Sequence, residues 1–203
     1  MWASTAQQLL HRTSSSDPTP GGGAIAAVTA AFGLGLVQMA IAISAGDDPA
    51  DDVAQFGAAQ SRARELQAAV VEAADRDVAE FDALMAAYRM PRGSEDERTA
   101  RARLIDETTV TATQGPLSLA EAAIAGTALA DQVEPLVKST IVSDVQAGRD
   151  LLCGAVLAAL RTADINLAGL EQREHPEALD LRRRRDAVRR AVISVQEREC
   201  RHG

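Results

Sequence analysis

From Ser14 to Ala45 the chain reads SSSDPTPGGG (14–23) and then AIAAVTAAFGLGLVQMAIAISA (24–45), with no charged side chain in the second part. An apolar run of this length with no polar face predicts a helix buried on most sides. It is long enough to cross a membrane. Yet it is rich in Ala and Gly, poor in Leu and Phe, and interrupted by Thr29 and Gln38. That weak apolarity favours a core helix over a span, and no membrane partner is expected. The small residues Ala27, Ala31, Gly35 and Ala42 recur at helical spacing and predict close helix packing. Ahead of the run, Pro18 and Pro20 stiffen the approach. Gly21, Gly22 and Gly23 remove side chains where the backbone N–H groups of a helix start stand open. The glycines are either a hinge or a wall that a ligand can approach. No phosphate loop is formed, because GxxxxGK[ST] and a preceding strand are both missing. A signal peptide is not expected either, since DPTPGGG would fall inside its n-region.

The composition points the same way. Of 203 residues, 46% are hydrophobic but only 2% aromatic, so the core must be built from Ala, Leu and Val. Ala is the strongest helix former, and the expected fold is all-α, a multi-helix bundle in a single domain over residues 1–203. A net charge of −8 argues against nucleic acid as a partner. Cys153 and Cys200 form no CxxC, and His11, His175 and His202 are scattered. No metal-ligand spacing is present, and a reducing, cytoplasmic setting is expected.

Outward from the apolar run, residues 3–12 predict a short amphipathic helix. Gly46 and Pro49 are read as the stop of the central helix, followed by a long helix from about Asp51 to Arg89 that ends at Pro91. Ser94 and Glu97 have capping-box spacing and open another helix. Gly115-Pro116 either ends it or interrupts it before helical character resumes at Leu117. Ser143 and Gln146 repeat the capping-box spacing and predict a Ser143 cap on a helix to about Leu170. Residues 175–203 hold a charged C-terminal helix. Its Leu181, Val188, Val192 and Val195 at helical spacing favour a packing role for LRRRRDAVRR over an anion site.

One residue does not suit its face. Leu66, Val70, Ala74, Phe81, Leu84 and Tyr88 fall within roughly 80° of a helix circumference, and Asp77 lies in the middle. A carboxylate on a packing face must be paired, protonated or turned to a cavity. Asp77 is therefore either catalytic or a structural group bonded to a neighbouring helix end or an arginine. On the later helix, Asp144, Gly148, Leu151, Ala155, Thr162 and Asn166 share a face. There Asp144 suits the helix dipole, and Asn166 suits an interhelical hydrogen bond.

Three blocks together resemble the cyclodeaminase/cyclohydrolase family of folate enzymes. That family includes the cyclodeaminase part of formiminotransferase-cyclodeaminase and stand-alone methenyltetrahydrofolate cyclohydrolases. DPTPGGG before an apolar helix is similar to its N-terminal signature. Asp77-Val-Ala-Glu-Phe81 with Ala87-Tyr-Arg-Met-Pro-Arg92 is similar to its Asp-Ala-x-Ala-Tyr/Phe segment and basic-x-Pro-basic ending. Ser143-Asp144-Val145 and Ile165-Asn166-Leu167 resemble its Ser-Asp-Val and Ile-Asn-Leu elements. Departures fall on polar positions: Ala24 follows PGGG where the family has Ser, Lys138 and Thr140 replace an Asn-x-Asn pair, and Thr162 replaces an Asn.

The resemblance implies an all-helical homodimer with a folate cleft and no cofactor beyond a tetrahydrofolate substrate. The implied reaction is hydrolysis of 5,10-methenyltetrahydrofolate or cyclodeamination of 5-formiminotetrahydrofolate. Both need a group that takes a proton from the nucleophile and gives one to the departing nitrogen. Asp77 is the implied catalytic carboxylate and Asp144 its partner. Pro20, Gly21, Gly22, Gly23, Phe81, Ser143 and Asn166 are the implied substrate contacts, with Arg89, Arg92 and Lys138 for the glutamate tail of folate. The departures leave open a same-fold enzyme for another substrate and a non-catalytic helical dimer.

Overall fold

The structure is a computed structural model that describes residues 1–45 and 50–202, with side chains except those of 50–53 and 199–202. Among the described residues there are six α-helices, one 3-10 turn and no strand. They are α1 (Ala6–Thr13), α2 (Gly22–Ser44), α3 (Ala50–Arg89), α4 (Glu95–Val133), α5 (Val142–Gln172) and α6 (Ala178–His202), with the turn at Ser139–Ile141. The all-α bundle follows as expected. Gly46 and Pro49, read as the stop of α2, and the side chain of Cys200 lie outside the described residues.

Helix α2 is the central element and packs on α3, α4 and α5. Its interior face is made of small and aliphatic residues, among them Ala27, Ala31, Leu34, Val37 and Ile41, all buried. Both α2 and the segment Ser139–Gln172 are long and apolar enough to cross a membrane by length and composition; 61% of the most apolar stretch of α2 is buried inside the bundle. Helices α2 and α5 cross closely at Gly33 and Gly148. A Cβ on Gly33 would stand 2.8 Å from the Gly148 carbonyl oxygen, and one on Gly148 2.7 Å from that of Gly33. Side-chain contacts normally hold helix axes 8–10 Å apart; here two bare backbones touch. Of the small residues picked by spacing, Ala27 and Ala31 are buried in the core, whereas Ala42 is exposed and Gly35 meets only the end of Gln67.

Two expected boundaries change. Pro116 does not end α4, which runs unbroken from Glu95 to Val133 behind the Ser94–Glu97 capping box. Ser143 is not a cap. The 3-10 turn starts the coil early, Ile141 takes the N-cap position without a side-chain bond, and exposed Ser143 sits inside the first turn. Gln146 instead donates its Nε2–H to Glu134 at 2.8 Å. Helix α6 packs through Leu181, Val188, Val192 and Val195, all buried. Its arginines meet acidic side chains of α4 and α5: Arg184 with Glu121, Arg189 with Asp164, and Arg198 with Asp131. The arginine-rich segment is a packing helix, several of whose arginines pair with α4 and α5.

Candidate functional site

The chain enters α2 through a cis Thr19–Pro20 peptide, and Gly21 takes the N-cap position with no side-chain bond. The first backbone bond of the helix runs from the Ile25 N–H to the Gly21 carbonyl at 3.1 Å. The N–H groups ahead of it have no partner within the helix. One of them, on Ala24, donates to the Asp77 carboxylate of α3.

Asp77 can come this close only because residue 23 has no side chain. A Cβ at Gly23 would lie 2.0 Å from Asp77 Oδ1. The third glycine of the run is thus a space for a carboxylate. Asp77 bonds a neighbouring helix start, as its structural reading expects, and it also faces a cavity. Burial raises its carboxyl above the ordinary range, and the Ala24 N–H partly offsets that rise.

The cavity measures about 390 Å³. Pro18, Thr19 and Gly21–Gly23 form one wall. Asp77, Glu80, Phe81, Leu84, Met85 and Tyr88 line it from three turns of α3, and Ala112 from α4. Thr162, Ile165 and Asn166 close it from α5. Apolar walls with few polar groups are the usual make-up of a small-molecule site.

Asn166 and Pro116 explain each other. In a helix the carbonyl of Ala112 would accept from the N–H of residue 116, but proline has none. Asn166 Nδ2 donates to the Ala112 oxygen at 2.7 Å, so α5 is held against α4 at the cavity wall. The interhelical bond expected of Asn166 is the one observed.

Other expected contacts fall elsewhere. Pro20 is buried beside the cavity wall but does not line it, and Tyr88, read as part of a packing stripe, is 45% exposed at the cavity. Arg89 and Arg92 are exposed beyond Tyr88 and do not line the cavity. Lys138, Ser143 and Asp144 do not join it either. The Lys138 N–H donates to Ser44 at the C-terminal end of α2, the end away from the glycines. Asp144 precedes Asn166 by six turns of α5, about 33 Å at 1.5 Å per residue. One chain therefore does not bring Asp144 to Asp77.

Sequence reading passed over Glu80. It sits one turn after Asp77 and lines the same cavity, and burial with the neighbouring Asp77 charge pushes it up to about 7, against the lowering effect of Arg76. Its carboxylate lies where a Cβ at Gly115 would stand 2.1 Å from Oε2. The signal was in the sequence: an acidic residue three after Asp77 on the same helical face, and a glycine in mid-helix.

A family model for formiminotransferase-cyclodeaminase matches residues 5–185. The chain belongs to that family. It is also similar to the methenyltetrahydrofolate cyclohydrolase of Methylorubrum extorquens, with 33% identity over 178 residues, covering 85% of this chain and 84% of the relative. Among solved structures it resembles the formiminotetrahydrofolate cyclodeaminase of Thermotoga maritima. The TM-score is 0.73 at 17% identity, covering 97% of both chains. That second likeness is one of fold. Family membership gives the glycine-start wall and Asp77 a common context that neither has alone.

Proposed function

We propose that this chain hydrolyses the methenyl bridge of 5,10-methenyltetrahydrofolate, with Asp77 as the proton-transferring group. The observation that carries the reading is Asp77 itself, half-buried, bonded to the open start of α2 and turned to an apolar cavity. The reacting carbon joins N5 and N10 and bears a positive charge. An ionised carboxylate in a site of low polarity favours that cation and takes a proton from the attacking water. Burial brings the Asp77 carboxyl towards the working range of such a group. Phe81 and Tyr88 offer ring faces for the pterin, and Asn166 holds the α5 wall. Arg89 and Arg92 lie beyond the Tyr88 end, where the glutamate tail would leave the cavity. Hydrolysis is preferred to cyclodeamination because the 33% identical relative is a cyclohydrolase.

Of the four polar departures, Thr162 lines the cavity, and Ala24 serves it through its backbone N–H. Lys138 and Thr140 lie at the far end of the bundle and bear less on the substrate.

The working form is proposed to be a cytoplasmic homodimer. On α2, Ile25, Thr29, Phe32, Leu36, Met39 and Ile43 follow one another at intervals of three and four, and Phe32, Met39 and Ile43 are exposed. Leu151 and Ile165 are exposed apolar side chains on the neighbouring α5. Two helices joined at Gly33–Gly148 thus present one seam that a second copy can cover.

Purified protein should accelerate the loss of near-ultraviolet absorbance of 5,10-methenyltetrahydrofolate. Asp77→Asn, which keeps an oxygen for the Ala24 N–H, should lose that activity while staying folded. Wild-type protein with no acceleration over buffer would overturn the assignment.

A further inference from the structure

Glu80 has a seat as specific as that of Asp77. Each carboxylate stands against a glycine of a different neighbouring helix, Gly23 at the start of α2 and Gly115 in the middle of α4. In both places a Cβ would lie about 2 Å from a carboxylate oxygen (2.0 Å for Asp77 and 2.1 Å for Glu80). One turn of α3 therefore carries two carboxylates into one cavity, and two helices leave room for them. A glutamate needed only for solubility would stand outside such a notch.

The surroundings of the pair separate the two groups. Asp77 accepts a helix N–H, which favours its ionised form; among the described residues no backbone N–H does the same for Glu80. The charged groups facing Glu80 are Arg76 and Asp77, both from α3. From α4 it meets Gly115, Pro116 and Leu119. The cavity walls from α5 and from the start of α2 bring Thr162, Ile165, Asn166 and the glycines, none of which ionises. Two neighbouring carboxylates in one poorly solvated site do not both ionise freely, and the one without the helix N–H keeps the proton. Burial is the main cause of the rise of Glu80 to about 7; Arg76 works against it, and the Asp77 charge adds a smaller upward push.

We infer that Glu80 is the second proton-carrying group of this site, giving a proton to the departing nitrogen while Asp77 takes protons from the incoming water. The inference rests on the hydrolytic reading above and divides between two residues the work that Asp77 would otherwise do alone. Water adds its oxygen to the methenyl carbon, and one of its protons passes to Asp77 and on to solvent. The carbon–nitrogen bond then breaks, the nitrogen taking the electron pair and the Glu80 proton. The remaining hydroxyl proton goes to Asp77 as the carbonyl forms. Transfer from Asp77 to Glu80 restores the starting pair. One proton is released per turnover, as conversion of a cationic substrate and water to a neutral formyl product requires.

The test combines kinetics with a titration that needs no substrate. Glu80→Gln and Gly115→Ala should remain folded, lower kcat by roughly ten- to a hundredfold, and leave KM within about threefold. The fall in wild-type kcat as pH rises through about 7 should be absent from Glu80→Gln. In substrate-free protein, 13C NMR should find the Glu80 carboxyl titrating near neutrality, and moving to lower pH in Asp77→Asn. Wild-type kcat and pH profile in Glu80→Gln would overturn the inference, as would a Glu80 titration that Asp77→Asn leaves in place. If wild-type protein fails to hydrolyse the substrate but the coupled titration is present, the hydrolytic reading fails and the carboxyl pair stands.

Discussion

Asn166 supplies to the Ala112 carbonyl, at 2.7 Å, the hydrogen bond that Pro116 removes from α4. A helix break written into the sequence is thereby turned into a contact between two helices, at the wall of the cavity. The consequence is a coupling between residues far apart in sequence.

Asn166→Ala should leave a buried carbonyl without a donor and cost about 1–3 kcal/mol. In a Pro116→Ala background the helix N–H returns, and the same substitution should cost at least about 1 kcal/mol less. Urea unfolding of the four proteins in the cycle measures this. An equal loss in both backgrounds would show that the two residues are not linked.

Gly23→Ala should act on Asp77 directly, because the new Cβ would lie 2.0 Å from Oδ1. The carboxylate must move, and with it the bond to Ala24. We expect turnover to fall at least tenfold, with a stability loss of about 1–3 kcal/mol. Initial rates and a thermal melt check the two effects separately.

Gly33→Ala tests the helix crossing away from the cavity. Its Cβ would stand 2.8 Å from the Gly148 oxygen, and backbone cannot step aside as a side-chain end can. A loss of about 1–3 kcal/mol or more is expected. Gly154→Ala, where nothing lies within 4 Å, should be neutral or slightly stabilising in the same melt.

Stability should depend on pH through Glu80. Its carboxyl is raised from 4.5 to about 7 in the folded chain. Between those values the folded protein holds a proton that the unfolded chain has released, so stability falls as pH rises through the window. Below it the group is protonated in both states; above it the loss is complete. Glu80→Gln removes this dependence. Its melting temperature relative to wild type should therefore rise between about pH 5 and about pH 8. A difference that does not change with pH would place Glu80 in ordinary solvent.

Phe32→Glu should separate the proposed dimer. Phe32 is 64% exposed and lies on the seam that ends at Ile165, which is 76% exposed and also lines the cavity. Sedimentation velocity should show a dimer for the wild type and a monomer for the variant. A monomeric wild type would remove the second-copy reading of this face.

The sequence by itself determined that the chain is all helical, that the uncharged run after the glycines is its centre, and that Asp77 is out of place on its face. These are local and periodic properties, set by helix propensity, by the spacing of apolar residues and by the cost of burying a charge. What lay beyond it required two elements to be seen together. The crossing falls at Gly33 and Gly148, not at the alanines picked by spacing, because the partner glycine is on another helix. Ser143 lost its cap because a 3-10 turn formed ahead of it, and Pro116 stays inside a helix because Asn166 satisfies Ala112. Asp144 was implied as a partner for Asp77, but within one chain six turns of α5 separate it from the cavity. Glu80 went unnoticed because what makes it special is Gly115, thirty-five residues away in the chain. Spacing along one helix places a side chain on a face; only tertiary packing supplies the bare backbone, the missing N–H or the neighbouring charge that gives the side chain its chemistry.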